Sequence, residues 1–178
     1  MNPTGVHTQT LAIGLLFVRL VIGFVMAAHG AQKLLGWFGG YGLSKTGEFF
    51  VNLGFWPGRA FATLASSSEI VSGLAVAVGF LGPIGPALMI SVMMVAMITV
   101  HWKNGLFATK NGIELPLLFA TSAAGLALTG FGRYSLDALL GISRDWPTSV
   151  TSIVLAVGVA GGLISAAIRH RVRNALTT

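Results

Sequence analysis

The 178-residue chain contains no cysteine, which removes disulfides, c-type haem attachment, cysteine-ligated iron–sulfur clusters and any thiol relay carried by the chain itself. Charge is also scarce. Only 9% of the residues are Asp, Glu, Lys or Arg while 54% are hydrophobic, against about a quarter charged in a soluble domain, so a soluble globule of this composition would lack a polar coat. No charged residue lies between Glu69 and Lys103, Glu114 and Arg133, or Asp145 and Arg169, which leaves uncharged runs of 33, 18 and 23 residues. About 20 apolar residues cross the hydrocarbon core of a bilayer, and the expected class is a polytopic membrane protein. No Lys or Arg precedes Arg19, so the basic start of a secretory signal peptide is missing and the first apolar segment is expected to be retained.

Five transmembrane helices are expected, near residues 10–29, 60–81, 84–101, 114–131 and 149–168. The run of 33 cannot be a single helix: at 1.5 Å per residue it would measure about 50 Å against a core of roughly 30 Å. Gly82-Pro83-Ile84-Gly85-Pro86 breaks it into a tight hairpin, because the prolines remove backbone donors and the glycines lower helix propensity. Trp37, Trp56, Trp102, Trp146, Tyr41 and Tyr134 fall at the edges of these spans or outside them, where aromatic belts lie.

The net charge of +6 would raise the question of nucleic acid in a soluble chain. Here the basic residues sit between apolar runs, where they meet lipid phosphates and set orientation, and no nucleic-acid partner is expected. With five spans, Lys33, Lys45, Arg59, Lys103, Lys110, Arg169, Arg171 and Arg173 share one face, and Arg133 and Arg144 the other. The positive-inside rule then puts the C-terminus in the cytoplasm and the N-terminus outside.

Two charges fall within spans, Arg19 in the first and Glu69 in the second. Intramembrane charges are rare and face a partner or a water-filled cavity. Counted from the expected helix ends, the two lie at similar depth, and an ion pair between them is expected. Arg19, Gly23 and Ala27 form one stripe, and Ala62, Ala65, Ser66, Glu69, Ser72 and Gly73 another. Small residues allow close approach, so these stripes are expected to face each other. The pair would fix helix register, or it would bind a head group or relay protons.

A second cluster is expected at the basic-face boundary. His29, Gln32 and Lys33 end the first span, His101 and Asn104 the third, and Glu114 starts the fourth. Two imidazoles, a cation and a carboxylate suit a quinone head group, since imidazole both donates and accepts hydrogen bonds; they also suit interfacial residues that satisfy helix ends. The expected arrangement is a pocket lined by His29, Lys33, His101 and Glu114 under a glycine-rich loop. Haem is not expected, because the histidines lie at the membrane surface beside Gly-rich loops and not across an apolar slot. No metal is expected without Cys, a second Glu or H-E-x-x-H spacing. Gly36, Gly39, Gly40 and Gly42 lack the spacing of a phosphate-binding loop and read as a tight or re-entrant loop. Gly158 and Gly162 make one G-x-x-x-G packing signal in the last span.

These residues resemble the DoxX family of small bacterial membrane proteins. The resemblance rests on Arg19-Leu20 with Gly23, His29-Gly30-Ala31-Gln32-Lys33, Gly36 and Gly39-Gly40, then Glu69, Gly73 and Leu74. It continues through His101, Asn104-Gly105-Leu106-Phe107, Asn111-Gly112 with Glu114, and Gly132 with Ser135-Leu136-Asp137. Leu106 stands where an aromatic is usual. The resemblance implies a four-helix transmembrane core, residues 1–140, in a bacterial cytoplasmic membrane. Residues 141–178 would add a linker, a fifth helix open to homo-oligomer contacts, and a basic tail. It also implies a membrane subunit of a quinone-linked oxidoreductase or an oxidative-stress complex, with exchangeable quinone and a soluble or membrane redox partner. The alternatives are a non-enzymatic scaffold or assembly factor, and a carrier of a small anion using Arg19.

Overall fold

A computed structural model describes the backbone of residues 3–143 and 146–175 and the side chains of residues 8–143 and 146–169. Arg144, Arg171 and Arg173, counted above for orientation, have side chains outside the described residues. The helices are α1 (Pro3–Leu35), α2 (Gly42–Asn52), α3 (Gly58–Val78), α4 (Ile84–Ala96), α5 (Glu114–Thr129), α6 (Leu136–Leu140) and α7 (Thr148–Ala175). A π-helical turn at Met97–His101 and a 3₁₀ turn at Trp102–Asn104 extend α4. Four segments, Thr8–Leu35, Gly58–Val78, Ile84–Asn104 and Thr148–Arg169, are long and apolar enough to cross a membrane. α5 has 16 residues, about 24 Å of helix; it runs beside α4 from the loop after Asn104 to the level of the α3–α4 turn. The chain is an all-α, multi-pass membrane protein.

α1 and α3 approach closely at more than one level along their length. A Cβ on Gly73 would lie 2.5 Å from the Gly23 carbonyl oxygen, and a Cβ on Gly30 would lie 2.5 Å from that of Ser66. The two backbones touch, as the small-residue stripes predict. Met26, Val76, Met89, Ile90, Met93, Phe119, Ala123 and Leu126 then close one apolar core between α1, α3, α4 and α5.

The α3–α4 hairpin forms where two prolines and two glycines were expected to break the run, but α3 ends earlier. Gly79, at φ 69°, takes the left-handed conformation that closes a helix, and Phe80 N–H donates to Ala75 O at 2.9 Å. On the far side, α7 lies parallel to α4. A Cβ on Gly158 would meet Ala87 O at 2.5 Å, and one on Gly162 would meet Ser91 O at 2.7 Å. The G-x-x-x-G of the last span thus packs against α4 within this chain.

Two elements differ from the sequence expectation. α1 runs six residues past His29 to Leu35, because Gly30 stays helical where it packs on Ser66 and Ile70, no Pro follows it, and the first left-handed glycine is Gly36. The expected re-entrant loop is shorter than supposed and leads into α2, whose Thr46 hydroxyl donates to Lys33 O at 3.1 Å. Gly47 of α2 sits against Arg59, with its missing Cβ only 2.8 Å from Arg59 Cγ.

Replacing Gly73 by Leu would force α1 and α3 apart, at a cost of about 1–3 kcal/mol or more for an overpacked contact. Gly125→Ala, where a Cβ meets nothing within 4 Å, should leave stability unchanged or slightly raised. Thermal unfolding in detergent checks this: equal midpoints for the two variants would contradict the α1–α3 packing.

Candidate functional site

The glycine contacts fix the register of α1 against α3, and that register separates the two intramembrane charges. Gly23 lies beside Gly73 and Ala77, and Gly30 beside Ser66 and Ile70, so Arg19 falls level with Gly79 while Glu69 falls level with His29. They stand about ten residues apart along the bundle, roughly 15 Å. The expected Arg19–Glu69 pair does not form. Its register was counted from a helix end at His29, and the real end at Leu35 shifts α1 by more than a turn.

Each charge instead anchors its own end of the bundle. Arg19, 2% exposed, donates from Nη2 to Tyr134 O and lies beside Gly79 and Ser135. Asp137, also buried, is its electrostatic counterpart. The Asp137 carboxylate accepts from the Leu81 and Gly82 N–H groups at 2.8 and 2.7 Å, and so fills the nest left by the α3–α4 turn. Arg19 Nε and Nη1 are buried without a hydrogen-bond partner. The resemblance gives Asp137 no role; the signal that marks it is a carboxylate in the first turn after Ser135, the N-cap of α6.

At the other end Glu69, 1% exposed, pairs with Lys33 at 2.5 Å. Lys33, whose side chain is 38% exposed, reaches inward from the last turn of α1. His29, one turn deeper, lies within electrostatic reach of both and meets Phe119 edge to face at 5.9 Å. Beside the pair opens a cavity of about 760 Å³ between α2, α3 and α4, with Ser165 of α7 at its edge. Phe49, Phe50, Phe61, Leu64, Leu88 and Val92 supply apolar wall; Lys33, Tyr41, Lys45, Glu48, Glu69 and His101 supply the ionisable groups. The π-helical turn at Met97–His101 widens the end of α4 where His101 meets this space, and such turns are frequent at functional sites.

The boundary cluster therefore divides. Lys33 and His101 line the cavity; His29, Gln32, Asn104 and Glu114 do not. Gln32 Nε2 donates to Phe38 O at 3.2 Å. Asn104 Nδ2 donates to Asn111 O at 3.1 Å, and the Glu114 carboxylate accepts the Ala108 N–H at 2.7 Å. These three side chains close loops. His101 Nδ1 also lies 2.8 Å from Asn111 O; a carbonyl only accepts, so Nδ1 carries the hydrogen and Nε2 of the neutral ring is an acceptor. The expected pocket is corrected in two respects: Glu69 takes the place of Glu114 and His29, and its cover is α2, not the glycine loop. Among the described residues, no group of three or more His, Cys, Asp or Glu is placed to hold a metal ion.

The DoxX family model matches residues 14–102, which run from early α1 through α4 and include Arg19, Lys33, Glu69 and His101. The chain belongs to the DoxX family. The matched span contains the α1–α3 contact and most of the cavity. The similarities read at Asn104–Glu114 and Gly132–Asp137 lie beyond it, although Asp137 completes the Arg19 end. Neither the curated proteins nor the solved structures compared with this DoxX chain contain a match.

The pair is asymmetric, and stability should show it. Lys33→Met strands a buried carboxylate, at about 3–5 kcal/mol, whereas Glu69→Gln frees an ammonium that can swing to water and should cost about 1 kcal/mol. The double variant should recover part of the Lys33→Met loss, while Arg19→Gln and Glu69→Gln should add. Unfolding midpoints of the three single and two double variants in one detergent check this, and strong Arg19–Glu69 coupling would contradict the register.

Proposed function

We propose that this DoxX protein is a membrane subunit of a quinone-linked oxidoreductase or oxidative-stress complex in the bacterial cytoplasmic membrane, and that the cavity beside Lys33 and Glu69 takes the quinone. The observation that carries the reading is the chemistry of that cavity. Its volume of about 760 Å³ lies in the range of roughly 300–1,000 Å³ found for small-molecule sites. Its walls are chiefly aromatic and aliphatic, and its charged groups balance, Lys33 and Lys45 against Glu48 and Glu69. A neutral ring with an apolar tail suits such a site better than an anion does. Lys33 Nζ can donate to a ring oxygen, His101 Nε2 can accept from one, and the α2 and α3 phenylalanines hold the tail. A separate redox partner would supply the chemistry that a cysteine-free chain without a metal cluster among its described residues does not carry. The end bearing Lys33, Lys45, Arg59, Lys103, Lys110 and Arg169 faces the cytoplasm under the positive-inside rule, with the C-terminus on that side.

Purified protein should release quinone on solvent extraction. Ala65→Trp, which fills the cavity from α3, should lower quinone binding at least about tenfold with little change in unfolding temperature. Topology reporters should be active in the cytoplasm at the C-terminus and outside at the N-terminus. A parent protein that neither carries nor binds quinone leaves the scaffold reading in its place.

A further inference from the structure

The Lys33–Glu69 pair is incompletely satisfied. Glu69 Oε1 receives the ammonium, but Glu69 Oε2 is buried without a hydrogen-bond partner, and Ser66 Oγ, one turn earlier, makes no bond to it. A carboxylate paired with lysine only accepts. A buried acceptor left unmade is costly, so this oxygen calls for a donor, and Glu69 and Lys33 both line the cavity from which one can arrive. His101, with Nδ1 committed to Asn111 O, adds a second acceptor at Nε2.

Quinone carbonyls accept hydrogen bonds and donate none. A hydroxyl does both. We propose, on the quinone reading above, that the site recognises the reduced ring: a hydroquinone whose O–H donates to Glu69 Oε2 while its oxygen accepts from Lys33 Nζ. A quinone in the same place satisfies Lys33 alone and sets its oxygen against the carboxylate. A site that binds the reduced form more tightly makes its bound quinone the stronger oxidant, by about 30 mV for each tenfold of preference in a two-electron couple.

The test is equilibrium binding to the purified full-length protein in nanodiscs under argon, with decylubiquinone, decylubiquinol and the dimethyl ether of the quinol as probes. The quinol should bind at least about tenfold more tightly than the other two, the increment of a hydrogen bond to a charged group. Glu69→Gln, whose amide can donate to a carbonyl, should reduce the preference to within about threefold. Equal binding of quinol, quinone and ether by the parent protein would overturn the inference while leaving the quinone site intact, with water then satisfying Oε2. Binding of none of the three would overturn the quinone reading itself. The comparison on the parent protein stands even if Glu69→Gln does not fold.

Discussion

Contact between the α1 and α3 backbones is the constraint on which the rest of the molecule depends. Gly23, Gly30 and Gly73 have no Cβ where one would strike the opposing chain, so the two helices have one register in which they can close. In a bilayer the hydrophobic effect gives helices no reason to associate, and this kind of close fit takes its place. Everything polar in the interior is distributed by that register.

It produces two centres instead of one. Arg19 and Asp137 lock the end formed by the α3–α4 turn and the segment before α6, and Asp137 is spent on the Leu81 and Gly82 amides. Lys33 and Glu69 lie at the other end, where α2 stands off far enough to leave an apolar cavity beside them. The first centre ties the α3–α4 turn to α6, beside a smaller cavity of about 420 Å³ lined by Ser135 and Asp137. The second retains a buried carboxylate oxygen without a hydrogen-bond partner on a residue that lines the larger, apolar cavity.

Much of this was legible in the sequence. Uncharged runs gave the membrane class, Gly82-Pro83 gave the hairpin, and the small-residue stripes gave the α1–α3 interface. The ion pair was misread because depth was counted from helix ends, and ends are the weakest part of a sequence reading: six extra residues of α1 moved Arg19 away from Glu69 and brought Lys33 within reach. The glycines at Gly36, Gly39, Gly40 and Gly42 read as loop, and no helix is expected between residues 29 and 60, where α2 forms over Gly42–Asn52. His29, Asn104 and Glu114 share a level with the site, yet level alone does not say which side of a helix a ring or carboxylate occupies. Phe119 and the loop amides decided that.

The central claim is that the ring sits between α2, α3 and α4 with its polar end at Lys33 and Glu69. Photolabelling with an azidoquinone, followed by mass-spectrometric mapping of the modified residues, tests it most directly. Labels should concentrate on Phe49–Phe61 and Leu64–Ser68 and on the Leu88–Thr99 stretch of α4, and be displaced by unlabelled quinone. Labels confined to the opposite end, around Gly130–Ser135 and Trp146, or spread evenly over lipid-facing side chains, would contradict the account.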